Sequence, residues 1–104
     1  MEMDGFTAIA EPTRRRILDR LRAGESDVGG LVDELGLPQP LVSKHLRVLR
    51  DAGVVDVRAA GKRRVYRLSE TPLPDVAAWV APYLTTWTTS LDRLEAALDE
   101  GTTT

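Results

Sequence analysis

Gln39, Ser43 and Arg47 follow one another at intervals of four, so a helix turning about 100° per residue lines them up on one face. The row has the chemistry of base reading. A Gln amide pairs with adenine through two hydrogen bonds, an Arg fork does the same with guanine, and a Ser hydroxyl suits a base edge or a phosphate. Pro40 and Lys44 fall on the same outward side, and Lys44 suits either a base or a phosphate. The surroundings of this row are strongly basic. Between Leu37 and Leu68 eight Lys or Arg face two acids, a local charge of +6 in a chain whose total is −2. Charge segregated in this way equips one face for a polyanion, and a DNA duplex is the polyanion these side chains suit.

Positioning such a row takes a frame, and the hydrophobic pattern outlines one. A first helix is expected over residues 3 to 10, with Phe6, Ile9 and Ala10 apolar; Pro12 then opens a second, since its fixed φ is already helical, and Gly24 ends it. Ser26 or Asp27 is the N-cap expected for a third helix carrying Val28, Leu31, Val32 and Leu35. After the break at Gly36-Leu37-Pro38, a fourth helix runs to about Ala52 with Val42, Leu46 and Leu49 facing inward at i, i+4, i+7. Two helices joined by so short a break give a helix-turn-helix. The period then changes to two: Val55 and Val57, then Val65 and Tyr66, flank Gly61 as a β-hairpin whose tip and flanks carry Arg58, Lys62, Arg63 and Arg64. Lys62 and Arg63 are placed to reach a backbone or minor groove, with Arg58 and Arg64 behind them. The free N–H groups at the start of the fourth helix are expected to suit a phosphate as well. Residues 73 to 99 return to helical spacing, with Val80, Leu84, Trp87, Leu91, Leu94 and Leu98 stepping by fours and threes as a heptad seam. Pro82 inside it predicts a kink or break, and the tail, 101 to 104, is expected to fray.

Other chemistries find little support. Ser43 and His45 stand two apart on a helix and diverge, so no nucleophile and base meet; Asp33-Glu34 and Asp99-Glu100 are adjacent and diverge too. Gly61-Lys62 lacks the upstream glycine of a phosphate loop, because position 56 is Asp. The expectation is a protein that is not an enzyme and uses no cofactor. Zero cysteines remove disulfides and thiolate metal sites. No apolar run reaches the roughly 20 residues of a membrane span and the N-terminus is acidic, so a cytoplasmic protein without a membrane partner is expected.

Four segments together resemble one family. AEPTRRRIL (10 to 18), LVSKHLRVLRDAGVV (41 to 55), GKRRVYRL (61 to 68) and a last helix with Trp79 and Trp87 are similar to the ArsR/SmtB family of bacterial winged-helix repressors. The resemblance implies a homodimer joined by its first and last helices that represses transcription from a pseudo-palindromic operator. It also implies the branch without metal ligands. Asp27 and Gly29 stand where family thiolates would be, and the last helix has no histidine, which leaves only a carboxylate set such as Asp92, Glu95 and Asp99 across a dimer, more simply read as solvated acids. No metal is therefore expected, and any effector is unidentified.

The fold expected is mostly α with a small β-hairpin: a single winged helix-turn-helix domain over 1 to 104, reading DNA with 26 to 68 and dimerising through 3 to 10 and 73 to 99. His45, in the reading helix, is expected either to contact phosphate or to pack beneath the neighbouring backbone. Of Arg14, Arg15 and Arg16, one reaches phosphate at most, and the others are solvated or paired with Glu11 or Asp19. Tyr66 is expected to pack. Phe6, Ile9, Trp79, Val80, Tyr83, Leu84, Trp87, Leu91, Leu94 and Leu98 form the dimer surface, since the seam outruns what residues 3 to 10 cover. Packing, not a ligand cage, accounts for the aromatic stripe of Trp79, Tyr83 and Trp87. Two alternatives stay open: a winged helix that binds an acidic protein partner, and a repressor with an unrecognised metal or organic effector.

Overall fold

A computed structural model describes residues 3 to 101. Five helices and three strands follow in the order α1 (Gly5–Ala10), α2 (Pro12–Arg22), β1 (Ser26–Asp27), α3 (Val28–Leu35), α4 (Gln39–Asp51), β2 (Val55–Ala60), β3 (Arg63–Leu68) and α5 (Pro74–Gly101). Caps set most of the helix starts. Asp4 accepts from the Thr7 amide at 2.8 Å, Glu11 from Arg14 at 3.1 Å ahead of Pro12, and Asp27 from Gly30 at 2.8 Å, each satisfying a donor the helix leaves free. The turn between α3 and α4 depends on Gly36, whose φ of 64° closes α3 in the left-handed conformation while its amide bonds to Val32 O at 2.9 Å.

The core lies where α2, α3 and α4 meet the sheet. Ile17, Leu31, Val42, Leu46, Leu49 and Val54 are fully buried, and Ala8, Leu21, Val55 and Tyr66 complete the cluster. The inward row of α4 is thus as its spacing predicts.

The sheet has one strand more than expected. Ser26–Asp27 pairs antiparallel with β3, giving the order β1-β3-β2. β3 is therefore central, and both its faces are covered: Tyr66 toward the core, and Val65 on the other side, where it stands between Asp27 and Arg58. Ala60 pairs with Arg63 across the two-residue turn Gly61-Lys62, and Gly61 supplies the positive φ, 65°, that the first position of such a hairpin turn demands.

α5 differs from the other helices in having no buried residue. Only its beginning is docked. Asp75 Oδ2 accepts from the Gly5 amide at 2.8 Å, and Trp79 meets Phe6 edge to face at 5.8 Å. Beyond Ala81 every side chain through Gly101 is exposed. The helix runs unbroken through Pro82, which corrects the expected break; on a surface helix, water can satisfy the carbonyl that proline leaves without a donor. Five hydroxyl residues in its middle, Thr85, Thr86, Thr88, Thr89 and Ser90 on either side of Trp87, each donate to the carbonyl four residues back, at 2.9 to 3.2 Å. Gly101 closes α5, and the rest of the tail expected to fray lies outside the described residues.

Candidate nucleic-acid interface

α4 carries two faces of opposite character. Val42, His45, Leu46 and Leu49 are buried, while Gln39, Pro40, Ser43, Lys44, Arg47 and Arg50 are exposed. Arg50 extends the outward row beyond its expected end. It is one helical turn past Arg47, and that i+3 spacing would have placed it.

Ser43, Arg47, Arg50 and Asp51 of α4 form one wall of a groove of about 640 Å³, and Val28, Arg64 and Tyr66 complete it. Three arginines against one aspartate give the groove a net positive lining. It is open and polar, suited to a charged chain of atoms and not to a buried small molecule.

The wing divides its cations between two faces. Arg64 lies in register with Ala59, on the same side of β3 as Tyr66, and turns to the groove. Arg63 and Arg58 take the other side. Arg63 Nε bonds to Asp27 Oδ2 at 2.7 Å and Arg58 Nη2 to Glu25 Oε1 at 2.6 Å. Lys62 stands exposed at the turn. Of the four wing cations expected to act together, Arg64 lines the groove, Lys62 is exposed at the tip, and Arg58 and Arg63 are held by Glu25 and Asp27. Exposed pairs of this kind are weak and exchangeable. The Asp27 carboxyl is nevertheless held below its ordinary value of 3.8, first by the Gly30 amide and then by Arg63.

Three expectations need correction. His45 is 8% exposed and points into the molecule: its Nε2 is 3.5 Å from Glu11 Oε2 and its Nδ1 3.5 Å from Arg14 Nη1, so it faces α2 and not a phosphate. The spacing 42, 45, 46, 49 marks this position as inward; its polar side chain concealed that. Next, the start of α4 is a poor phosphate cradle. Pro38 and Pro40 have no N–H, and the Leu41 amide already bonds to Pro38 O at 3.1 Å, so the first turn offers a ligand at most the Gln39 amide. Third, Arg14, Arg15 and Arg16 pair with carbonyl oxygens instead of Glu11 or Asp19 side chains: Arg14 with Thr7 and Ala8, Arg15 with Ile9 and Ala10, Arg16 with Leu35.

Among the described residues no three side chains of His, Cys, Asp or Glu come together to hold a metal ion, and no helix is long and apolar enough to cross a membrane.

Known proteins share both this sequence pattern and this architecture. Residues 11–57 match the family model described as bacterial regulatory protein, arsR family. The transcriptional repressor SdpR of Bacillus subtilis is 34% identical over 79 residues, an alignment covering 76% of this chain and 88% of that protein. The chain belongs to the ArsR family. Other relatives are longer: it spans 64% and 51% of two regulators from Mycobacterium tuberculosis. A crystal structure described as a possible transcriptional regulator for arsenical resistance superposes with a TM-score of 0.66 at 38% identity, covering 91% of this chain and 96% of that one. A solution structure of a possible ArsR-family regulator from Mycobacterium bovis, described as a homodimeric winged helix-turn-helix DNA-binding domain, gives 0.62 at 30% identity over 81% of this chain and 75% of that one. ArsR membership places the chain among DNA-binding transcriptional regulators, not enzymes, and the β2-β3 hairpin is its wing.

Proposed function

We propose that the chain is a homodimeric repressor that reads a pseudo-palindromic operator, with no metal effector. The exposed row Gln39, Ser43 and Arg47, continued by Arg50 and facing Arg64 across the groove, carries the reading. In it Gln39 and Arg47 contact base edges, Ser43 and Lys44 a base or phosphate, and Arg50, Lys62 and Arg64 the backbone. Arg58 and Arg63 contribute by exchanging their acids for phosphate.

The dimer rests on α5. Trp79, Tyr83, Leu84, Trp87, Leu91, Leu94 and Leu98 are 45 to 62% exposed, an apolar stripe that Phe6 of α1 meets at Trp79. Such a stripe marks an interface, and a two-fold axis through it would set two α4 helices about 34 Å apart on successive major grooves. The reading without a metal follows from the donors available. Asp27 caps α3 through the Gly30 amide, and α5 has neither histidine nor cysteine.

A fluorescence-anisotropy titration of duplex DNA from the chain's own promoter, at two salt concentrations and against random duplex, tests the proposal. Binding that survives the competitor, weakens steeply with salt and saturates at two chains per site is the expected result. Weak binding that random DNA abolishes would overturn it and assign the basic groove to an acidic protein partner.

A further inference from the structure

His45 sits in the reading helix yet touches no surface a duplex could reach. Its ring lies between two side chains of α2, and each constrains one nitrogen. Arginine has donors only, so Nδ1, facing Arg14 Nη1, must present its lone pair; Nε2 then carries the proton and directs it at the Glu11 carboxylate. At 3.5 Å both contacts are long, and their effect is to orient, not to bind tightly.

What lies behind these partners gives the arrangement its meaning. Arg14 also donates Nε to Ala8 O at 2.6 Å and Nη2 to Thr7 O at 3.0 Å, so one guanidinium fastens the end of α1 and the middle of α4 together. Glu11 is the N-cap of α2, accepting from the Arg14 amide. Burial pushes its carboxyl up, but the amides of Thr13 and Arg14, with the positive charge of Arg14, outweigh that and hold it below its ordinary value. α1 in turn meets α5 through Gly5 with Asp75 and Phe6 with Trp79. A continuous set of contacts therefore joins the apolar helix α5 to the reading helix, passing through α1, Arg14 and His45.

We infer that His45 is a positioning residue for DNA recognition, fixing the rotation of α4 against α1 through the acceptor it gives Arg14. The inference rests on the proposed DNA-reading function. Base contacts need side chains placed to a fraction of an ångström, whereas attraction to phosphates tolerates displacement. Loss of this acceptor therefore reduces discrimination between sequences and leaves general DNA affinity intact.

Asn places its carbonyl oxygen near the position of Nδ1, and Gln its amide nitrogen near that of Nε2, so the two halves of the link can be separated. The wild-type chain first selects its sequence from a random duplex library. His45→Asn, His45→Gln and His45→Leu are then titrated with the selected and a random duplex, and the imidazole ¹⁵N shifts of the wild type are read on the free protein above pH 8. His45→Asn is expected to keep the wild-type ratio between the two duplexes, whereas His45→Gln and His45→Leu lower it about tenfold or more with random-duplex affinity unchanged. Should His45→Leu fail to fold, Arg14→Lys, which keeps the charge but not the fork, is expected to lower the ratio in the same way. Wild-type discrimination in His45→Leu or Arg14→Lys, or equal losses in Asn and Leu, would overturn the role. A neutral ring with its proton on Nδ1 would overturn it independently of DNA. No enriched sequence for the wild type would refute the DNA-reading function instead, and the ring shifts would still decide the link.

Discussion

α4 and α5 are both amphipathic, and their apolar faces meet opposite fates. In α4 thirteen residues bury Val42, His45, Leu46 and Leu49 under the chain's own α2 and sheet. In α5 twenty-eight residues bury nothing, and Trp87 and Leu98 stay 62% exposed. The contrast separates two kinds of instruction in one sequence. One apolar row completes the core; the other stays exposed among the described residues. On the proposed function, reading and assembly fall to different helices, α4 packed on α2 and the start of α5 on α1.

The comparison breaks first if α5 is made polar. Leu84→Asp with Leu91→Asp is expected to give monomers by sedimentation, with the DNA-reading half still folded by circular dichroism and operator affinity down by about 100-fold or more, since two half-sites no longer act together. A monomeric wild type would remove the contrast altogether. Next, Leu46→Ala opens a cavity beneath the reading helix and should cost about 2–5 kcal/mol in denaturant unfolding, whereas Leu98→Ala in the isolated chain should cost almost nothing. Comparable losses at both positions would show that α5 packs within its own chain.

Smaller effects divide the basic surface. Arg47→Ala is expected to lose about 1–3 kcal/mol on the operator and to relax preference at one base pair, while Lys62→Ala weakens all duplexes alike and lowers the salt slope by about one. Equal loss on every sequence for Arg47→Ala would leave the row without a reading role. The smallest effect concerns Asp27. Its folded-state value is depressed, so its contribution is present above the unfolded value of 3.8 and is lost as pH falls through the lower folded one. Asp27→Asn should flatten the acid limb below about pH 4 by lowering the melting temperature at neutral pH toward its acid value, with little change at the acid end. An unchanged acid limb would show that the Gly30 and Arg63 contacts do not persist in solution.

Much of this frame was legible in the sequence, for reasons that particular residues make clear. Val42, Leu46 and Leu49 announce α4 because burial on one side of a helix imposes a period, and Pro12, Asp27 and Gly36 mark boundaries because each has a local stereochemical role. β1 was not legible: two residues are too few for a period, and only pairing with Tyr66 and Val65, far along the chain, makes Ser26–Asp27 a strand. The division of the wing had the same cause. Alternation places Arg63 and Arg64 on opposite faces, but which face carries Asp27 and which the groove depends on a neighbour that pattern alone does not reveal. Of the two places open to His45, its spacing favours the inward one and its polarity the phosphate; the inward one holds because Glu11 and Arg14 meet its ring nitrogens there.

The hydroxyl residues of α5 alter how that helix meets water. Thr85, Thr86, Thr88, Thr89 and Ser90 look hydrophilic, yet each has already spent its hydrogen on a carbonyl of its own helix. What the threonines turn outward beside Trp87 is largely methyl. A stretch spelled with hydroxyls can thus be dried against another surface without stranding a hydroxyl hydrogen.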